Sequence, residues 1–198
     1  VARCIQPIRP LIKLKIYSYT LKIPLLICYY SNVKGFKMQS GLYIIGTPIG
    51  NLSDLSPRAV EILKNVDLIA AEDTRVFGKL AHHFGIKTKV VSCHEHNERA
   101  VSESLIEKIQ NGMAIATVSD AGMPGISDPG FRIISAARNA GVDVFVVPGP
   151  TAAISALVLS GFPTDRFTFC GFFDEKKLRE DNKIRHTIIY YESPNRVM

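Results

Sequence analysis

No stretch of this chain is long and apolar enough to cross a bilayer. The segment Leu11 to Tyr30 is apolar, but Lys13, Lys15 and Lys22 interrupt it, and its longest uncharged run, Ile23 to Val33, is too short for a span. No small-residue cleavage site succeeds a clean apolar core, which argues against a secretory signal. The chain has only four cysteines, Cys4, Cys28, Cys93 and Cys170, scattered and without CxxC spacing. That favours a reducing, cytoplasmic setting over a disulfide scaffold. The nucleotide-binding fingerprints are absent too: there is no GxxxxGK followed by Ser or Thr, and no GxGxxG. The lack of GxSxG disfavours a hydrolase elbow. No sequence repeat or low-complexity tract is present.

An overall basic surface is missing as well, despite the formal net charge of +6. Seven of the 24 basic residues lie in the first 37 positions, which hold no acid, leaving 17 basic against 18 acidic residues in the rest, a net of −1. Nucleic-acid binding therefore cannot be argued from net charge. The first 37 residues differ in texture from the remainder of the chain. They read as an extension outside the fold, translated upstream of Met38, and their basic, acid-poor composition also fits an organellar transit peptide.

From Met38 onward, strand and helix patterns alternate. Short apolar runs at Leu42 to Ile45, Asp67 to Ala71, Lys89 to Ser92, Met113 to Val118 and Val142 to Val147 predict strands. Helices are expected over Asp54 to Asn65 (Ser56 capping, Pro57 in the first turn), Val76 to Phe84 before Gly85, and Asn97 to Gln110 capped by Asn97. Two more are expected from Asp128-Pro129 to Asn139 and from Thr151 to Leu159 before Gly161. The repetition implies an α/β fold: a parallel sheet flanked by helices. A boundary is expected near Gly161 to Arg166, giving an N-terminal domain over 38–162 and the start of a second over 163–198. The second shows only the strand patterns Phe167 to Phe173 and Thr187 to Tyr191, too few for an independent core, and reads as cut short.

The chemistry-bearing residues gather at the strand ends. Gly/Pro-rich loops come after three strands: Gly46-Thr-Pro-Ile-Gly-Asn-Leu52, Val118-Ser-Asp-Ala-Gly-Met-Pro-Gly-Ile-Ser-Asp-Pro-Gly130 and Val147-Pro-Gly-Pro-Thr-Ala-Ala153. In open parallel sheets that edge binds ligands. Pro48, Pro124, Pro148 and Pro150 each suit an ordinary turn, and one carboxylate there is often just a helix cap. Glu72, Asp73 and Asp120 together at one edge point instead to a site. Cys93-His-Glu-His96 with His82-His83 suggests a metal, and on a strand His94 and His96 would share a face. A third ligand is lacking, so no metal is assigned.

Seven motifs occur in order: the loop Gly46 to Leu52, Ala71-Glu-Asp-Thr-Arg75, His94-Glu-His-Asn-Glu98, Val118 to Gly122 with Ser127 to Gly130, Pro148-Gly-Pro-Thr151, Phe162-Pro-Thr-Asp-Arg-Phe167 and Tyr191-Glu-Ser-Pro194. Together they resemble the bacterial small-subunit ribosomal RNA cytidine 2′-O-methyltransferases of the tetrapyrrole methylase superfamily. The resemblance covers Leu42 to Arg196. It implies a two-domain, homodimeric α/β methyltransferase without a metal, acting on a decoding-site cytidine of ribosomal RNA with S-adenosyl-L-methionine. By position, Asp120, Ala121, Gly122, Met123, Ile126, Thr151, Ala152 and Glu192 are implied in cofactor binding, with Ile49 closing over it. Glu72 is implied as a base and Arg75 as a contact to the ribose-phosphate backbone. The charged segment Asp174 to Arg185 is shorter and more acidic than the Lys/Arg-rich loop of that family. Two other readings stay open: a small-molecule methylase of the same fold, and a truncated protein that binds without turnover. Against the former, Thr47-Pro-Ile-Gly-Asn51 replaces the Gly-rich acidic turn of the porphyrinoid enzymes.

Overall fold

The computed structural model describes residues 38–176, 181 and 183–196. The proposed extension, 1–37, and parts of the charged segment, 177–180 and 182, lie outside the described residues. Five parallel strands form the main sheet: β1 (Gly41–Ile45), β2 (Leu68–Ala71), β3 (Val90–Ser92), β4 (Ala114–Val118) and β5 (Val144–Val147), in the order β3-β2-β4-β1-β5. The helices are α1 (Pro57–Asn65), α2 (Thr74–Phe84), α3 (Glu98–Gln110), α4 (Phe131–Asn139) and α5 (Ala152–Ser160).

The central strands are buried on both faces, so they read as continuous apolar runs rather than as alternating ones. Tyr43, Ile45, Ile69, Ala71, Ala116 and Val147 face a core closed by Leu63 of α1 and Phe77 and Leu80 of α2. Leu42, Ile44, Leu68, Ala70 and Ile115 face the opposite core, closed by Leu105 and Ile109 of α3 and Ile133 and Ala137 of α4. The result is a three-layer sandwich, as the βα alternation predicts.

Local signals explain most element ends. The Ser56 hydroxyl accepts from Ala59 N–H, with Pro57 in the first turn of α1. Gly85 and Gly161 close α2 and α5 in the left-handed conformation. Three expectations need correction. Leu52–Asp54 is a separate 3-10 turn, so α1 starts at Pro57. Asn97 makes no side-chain cap to α3; its Oδ1 accepts from His94 N–H and its Nδ2 donates to the Ser92 carbonyl, fixing the β3–α3 turn instead. Helix α4 begins at Phe131, not at Asp128. Its cap residue, Gly130, has φ 130 and leaves the first amides to a partner from elsewhere in the chain.

A second sheet pairs β6 (Phe167–Phe172) with β7 (Thr187–Tyr191) in parallel. The Tyr191 hydroxyl accepts from Ala153 N–H at 3.3 Å, which ties the end of β7 to the start of α5. Its ring also meets Phe169 edge-on, with centroids 4.7 Å apart.

Candidate active site

All three Gly/Pro-rich loops meet at the C-terminal edge of the main sheet, and at the Gly46–Gly149 approach the backbones leave no room for a side chain. Gly46 and Gly149 pass so closely that a β-carbon on Gly46 would lie 2.7 Å from the Gly149 Cα and 2.6 Å from the Met123 Sδ. Thr47 and Gly122 exchange backbone hydrogen bonds of 2.9 and 3.1 Å, and the buried Thr47 hydroxyl donates to the Ser119 carbonyl at 3.1 Å. The loop after β1 is thus pinned to the loops after β4 and β5. Gly122 has φ +85, a conformation that glycine adopts without strain.

A cavity of about 520 Å³ opens between these loops and the second sheet. Ile49, Ala121, Gly122, Met123, Ile126, Thr151, Ala152 and Glu192 line it, eight of the nine positions implied in cofactor binding. The ninth, Asp120, lines a smaller hollow of about 220 Å³ between the first loop and α2. Most of the wall of the larger cavity is small or apolar, Ala153 and Ala156 included, with Asp128 and Glu192 as its carboxylates. Glu192 is held in place at that wall: its Oε1 accepts from Ser193 N–H at 2.6 Å and forms an ion pair with Arg196 Nη2 at 2.7 Å.

Glu72 and Asp120 clasp each other's strand ends. Glu72 Oε2 accepts from Asp120 N–H, and Asp120 Oδ1 accepts from Asp73 N–H, both at 3.1 Å. Burial pushes the Glu72 carboxyl above its ordinary range, as do the nearby charges of Asp120 and Asp73, while the hydrogen bond from Asp120 N–H opposes the rise. Burial likewise raises Asp120, opposed by the hydrogen bond from Asp73 N–H. Asp73 goes the other way, because the Arg75 guanidinium forks onto it and holds it well below the usual carboxylate range. Arg75 is therefore engaged within its own turn, although its side chain remains 89% exposed.

Two functional candidates escape local reading. Asp128, expected to open a helix, instead lines the larger cavity. Burial, joined by the charges of Glu72 and Asp120, pushes its carboxyl up to about 6. The only sequence signal is a carboxylate inside a Gly/Pro-rich strand-end loop. The other is Glu98, which enters the sequence reading only as part of a motif. It is 3% exposed, and its Oε1 accepts from Gly130 N–H at 2.9 Å, Arg132 N–H at 3.0 Å and Ile133 N–H at 3.3 Å. A side chain on α3 thereby caps α4 and anchors the loop that lines the cavity. His94 and His96 fall after the end of β3 rather than on it, with ring centroids 5.9 Å apart. Among the described residues no group of three or more His, Cys, Asp or Glu is placed to hold a metal.

Strand-end loops of a parallel α/β sheet that enclose a cavity against a second sheet define an α/β fold with a small-molecule site at its C-terminal edge. The family model for Tetrapyrrole (Corrin/Porphyrin) Methylases matches residues 41–198, and the chain belongs to that family. It is similar to proteins named Ribosomal RNA small subunit methyltransferase I. That of Vibrio cholerae serotype O1 is 50% identical over 162 residues, covering 79% of this chain and 56% of the relative. That of Synechocystis is 50% identical over 163 residues, covering 79% and 58%. The chain thus spans a little over half the length of these curated relatives. Among solved structures it resembles uroporphyrin-III-C-methyltransferase from Thermus thermophilus, with a TM-score of 0.53 and 25% identity over 69% of this chain and 61% of that one. Diphthine synthase, at 16% identity with a TM-score of 0.57 over 77% of this chain and 64% of that one, shares the fold alone.

Proposed function

We propose that the full-length protein methylates a ribose 2′-hydroxyl of a decoding-site cytidine in small-subunit ribosomal RNA, using S-adenosylmethionine. The observation that carries this reading is the convergence of eight motif residues on one cavity, in a chain half identical to relatives named for ribosomal RNA methylation. Its volume of about 520 Å³ suits a small-molecule site. The residues present also fit the cofactor's chemistry. Gly122, Ala121 and Ala152 leave backbone accessible, Ile49, Met123 and Ile126 offer apolar surface to an adenine ring, and Asp128 and Glu192 place carboxylates for a cationic ligand.

S-adenosylmethionine held by these residues would supply a methyl group activated by its sulfonium, for transfer to the ribose 2′-oxygen. A ribose hydroxyl is a poor nucleophile, so holding it in line supplies most of the rate. Glu72, with its carboxyl raised by burial, is the group assigned to accept the hydroxyl proton, a role worth roughly 10²–10⁴-fold. Arg75, exposed beside Asp73, is assigned to the phosphate backbone. A homodimer in the cytoplasm completes the reading. Exposed Val158, Leu159 and Phe162 offer apolar surface to a second copy.

The test is transfer of labelled methyl from S-adenosylmethionine to small-subunit RNA by the full-length protein, followed by nuclease digestion to locate the label. Label on the sugar of a cytidine is the expected result. Label on a base, or on a tetrapyrrole supplied in competition, refutes it.

A further inference from the structure

The smaller hollow has a lining that the methyl-donor site does not use. Pro48, Leu52, Val76, Phe77 and Leu80 give it apolar walls, with Lys79 and Asp120 as its charged residues. Its neighbouring hydroxyls already have partners. Thr47 donates to the Ser119 carbonyl and Ser119 Oγ to the Gly122 carbonyl, and Asp120 is the anionic acceptor among the residues lining the hollow. Asp120 Oδ1 is taken by Asp73 N–H, whereas Oδ2 accepts no hydrogen bond among the described residues.

The two hollows share a wall. In the first loop, Ile49 lines the larger cavity, while Pro48 and Gly50 on either side line the smaller. In the second loop, Asp120 lines the smaller and Ala121, the next residue, lines the larger. A ligand in each would therefore meet across one turn of backbone, beside the Glu72–Asp120 clasp. At about 220 Å³ the smaller hollow has room for one heterocyclic base and is far too small for a macrocycle.

We infer that this hollow receives the base of the acceptor nucleoside and reads it as cytosine through Asp120, an inference that rests on the methyl-transfer reading above. An unstacked base is held by apolar walls and identified along its edge. Cytosine presents an exocyclic N4–H2 donor, which a carboxylate accepts; uracil presents O4, an acceptor that a carboxylate repels. Lys79 at the same hollow supplies the cation for the adjoining phosphate.

The experiment compares RNA fragments carrying cytidine or uridine at the methylated position, using the full-length protein and its Asp120→Asn and Val76→Trp variants. Labelled methyl transfer gives kcat/KM, and calorimetry gives affinity for S-adenosylmethionine. Val76 is 39% exposed, so tryptophan there fills the hollow without displacing the core, and a thermal melt checks the fold. Wild type should favour cytidine by about tenfold or more. Asp120→Asn, which keeps an acceptor for Asp73 N–H and adds a donor for O4, should bring the two substrates to within about threefold. Val76→Trp should lose RNA methylation at least tenfold with cofactor affinity unchanged. An unaltered cytidine preference in Asp120→Asn, full transfer by Val76→Trp, or loss of cofactor binding in Val76→Trp each overturns the inference. Absence of transfer by wild type to either RNA refutes instead the methyl-transfer reading, and this inference falls with it.

Discussion

Asp128 carries the clearest pH signature at the scale of single residues. Its carboxyl sits at about 6 in the folded chain against an ordinary 3.8, chiefly through burial. A raised carboxylate stabilises the fold only while protonated, so its contribution is complete below about pH 4 and is lost as pH rises through 6. Asp128→Asn should therefore melt above wild type at pH 7.5 and with it near pH 4; equal melting at both would contradict the assignment. Wild-type affinity for S-adenosylmethionine should fall below about pH 6 as the carboxylate facing a cationic ligand is neutralised, and calorimetry of Asp128→Asn should show that dependence flattened. Gly46 and Gly149 make a second residue-level case. A β-carbon on Gly149 would lie 2.8 Å from the Gly46 carbonyl oxygen, backbone against backbone. Alanine at either position should cost roughly 1–3 kcal/mol in denaturant unfolding, and wild-type stability would rule out the close approach.

At the scale of elements, the β3–α3–α4 connection depends on one buried acid. Glu98 supplies the acceptor for three amides at the start of α4, where Gly130 has no side chain to cap with. Glu98→Ala should destabilise the chain by roughly 1–3 kcal/mol and raise amide exchange in α4 first, whereas Glu98→Gln, which keeps an acceptor, should lose less. Equal losses would show that packing, not the hydrogen bonds, is at stake. The same device marks the limit of local sequence signals. The strands are legible because short apolar runs recur between helix patterns, and Ser56-Pro57 and Gly85 are local signals with local causes. The start of α4 is not, because its cap comes from a residue 32 positions away. Asp128 is hidden for the same reason: its burial depends on loops that meet only in the folded sheet. The motif residues from Ile49 to Glu192 are legible as a set through family resemblance, and only the fold separates Asp120 from the other eight.

For the molecule as a whole, apolar surface and cavity placement set the remaining expectations. Val158, Leu159 and Phe162 lie exposed at the end of α5 and just beyond it, on a helix that is apolar nearly throughout. Leu159→Glu combined with Phe162→Glu should shift sedimentation toward monomer without lowering the melting temperature. An unchanged distribution would place any dimer contact elsewhere. The central claim is that the strand-end loops and the second sheet enclose the methyl donor. Titration calorimetry of S-adenosylmethionine into the full-length protein and its Gly122→Leu variant tests it most directly. A β-carbon at Gly122 lies 3.6 Å from both Ile49 Cγ2 and the Pro150 carbonyl oxygen, and φ +85 disfavours any side chain there. Wild type should bind measurably, and Gly122→Leu at least about tenfold more weakly. Equal affinity in a folded Gly122→Leu variant would contradict the claim.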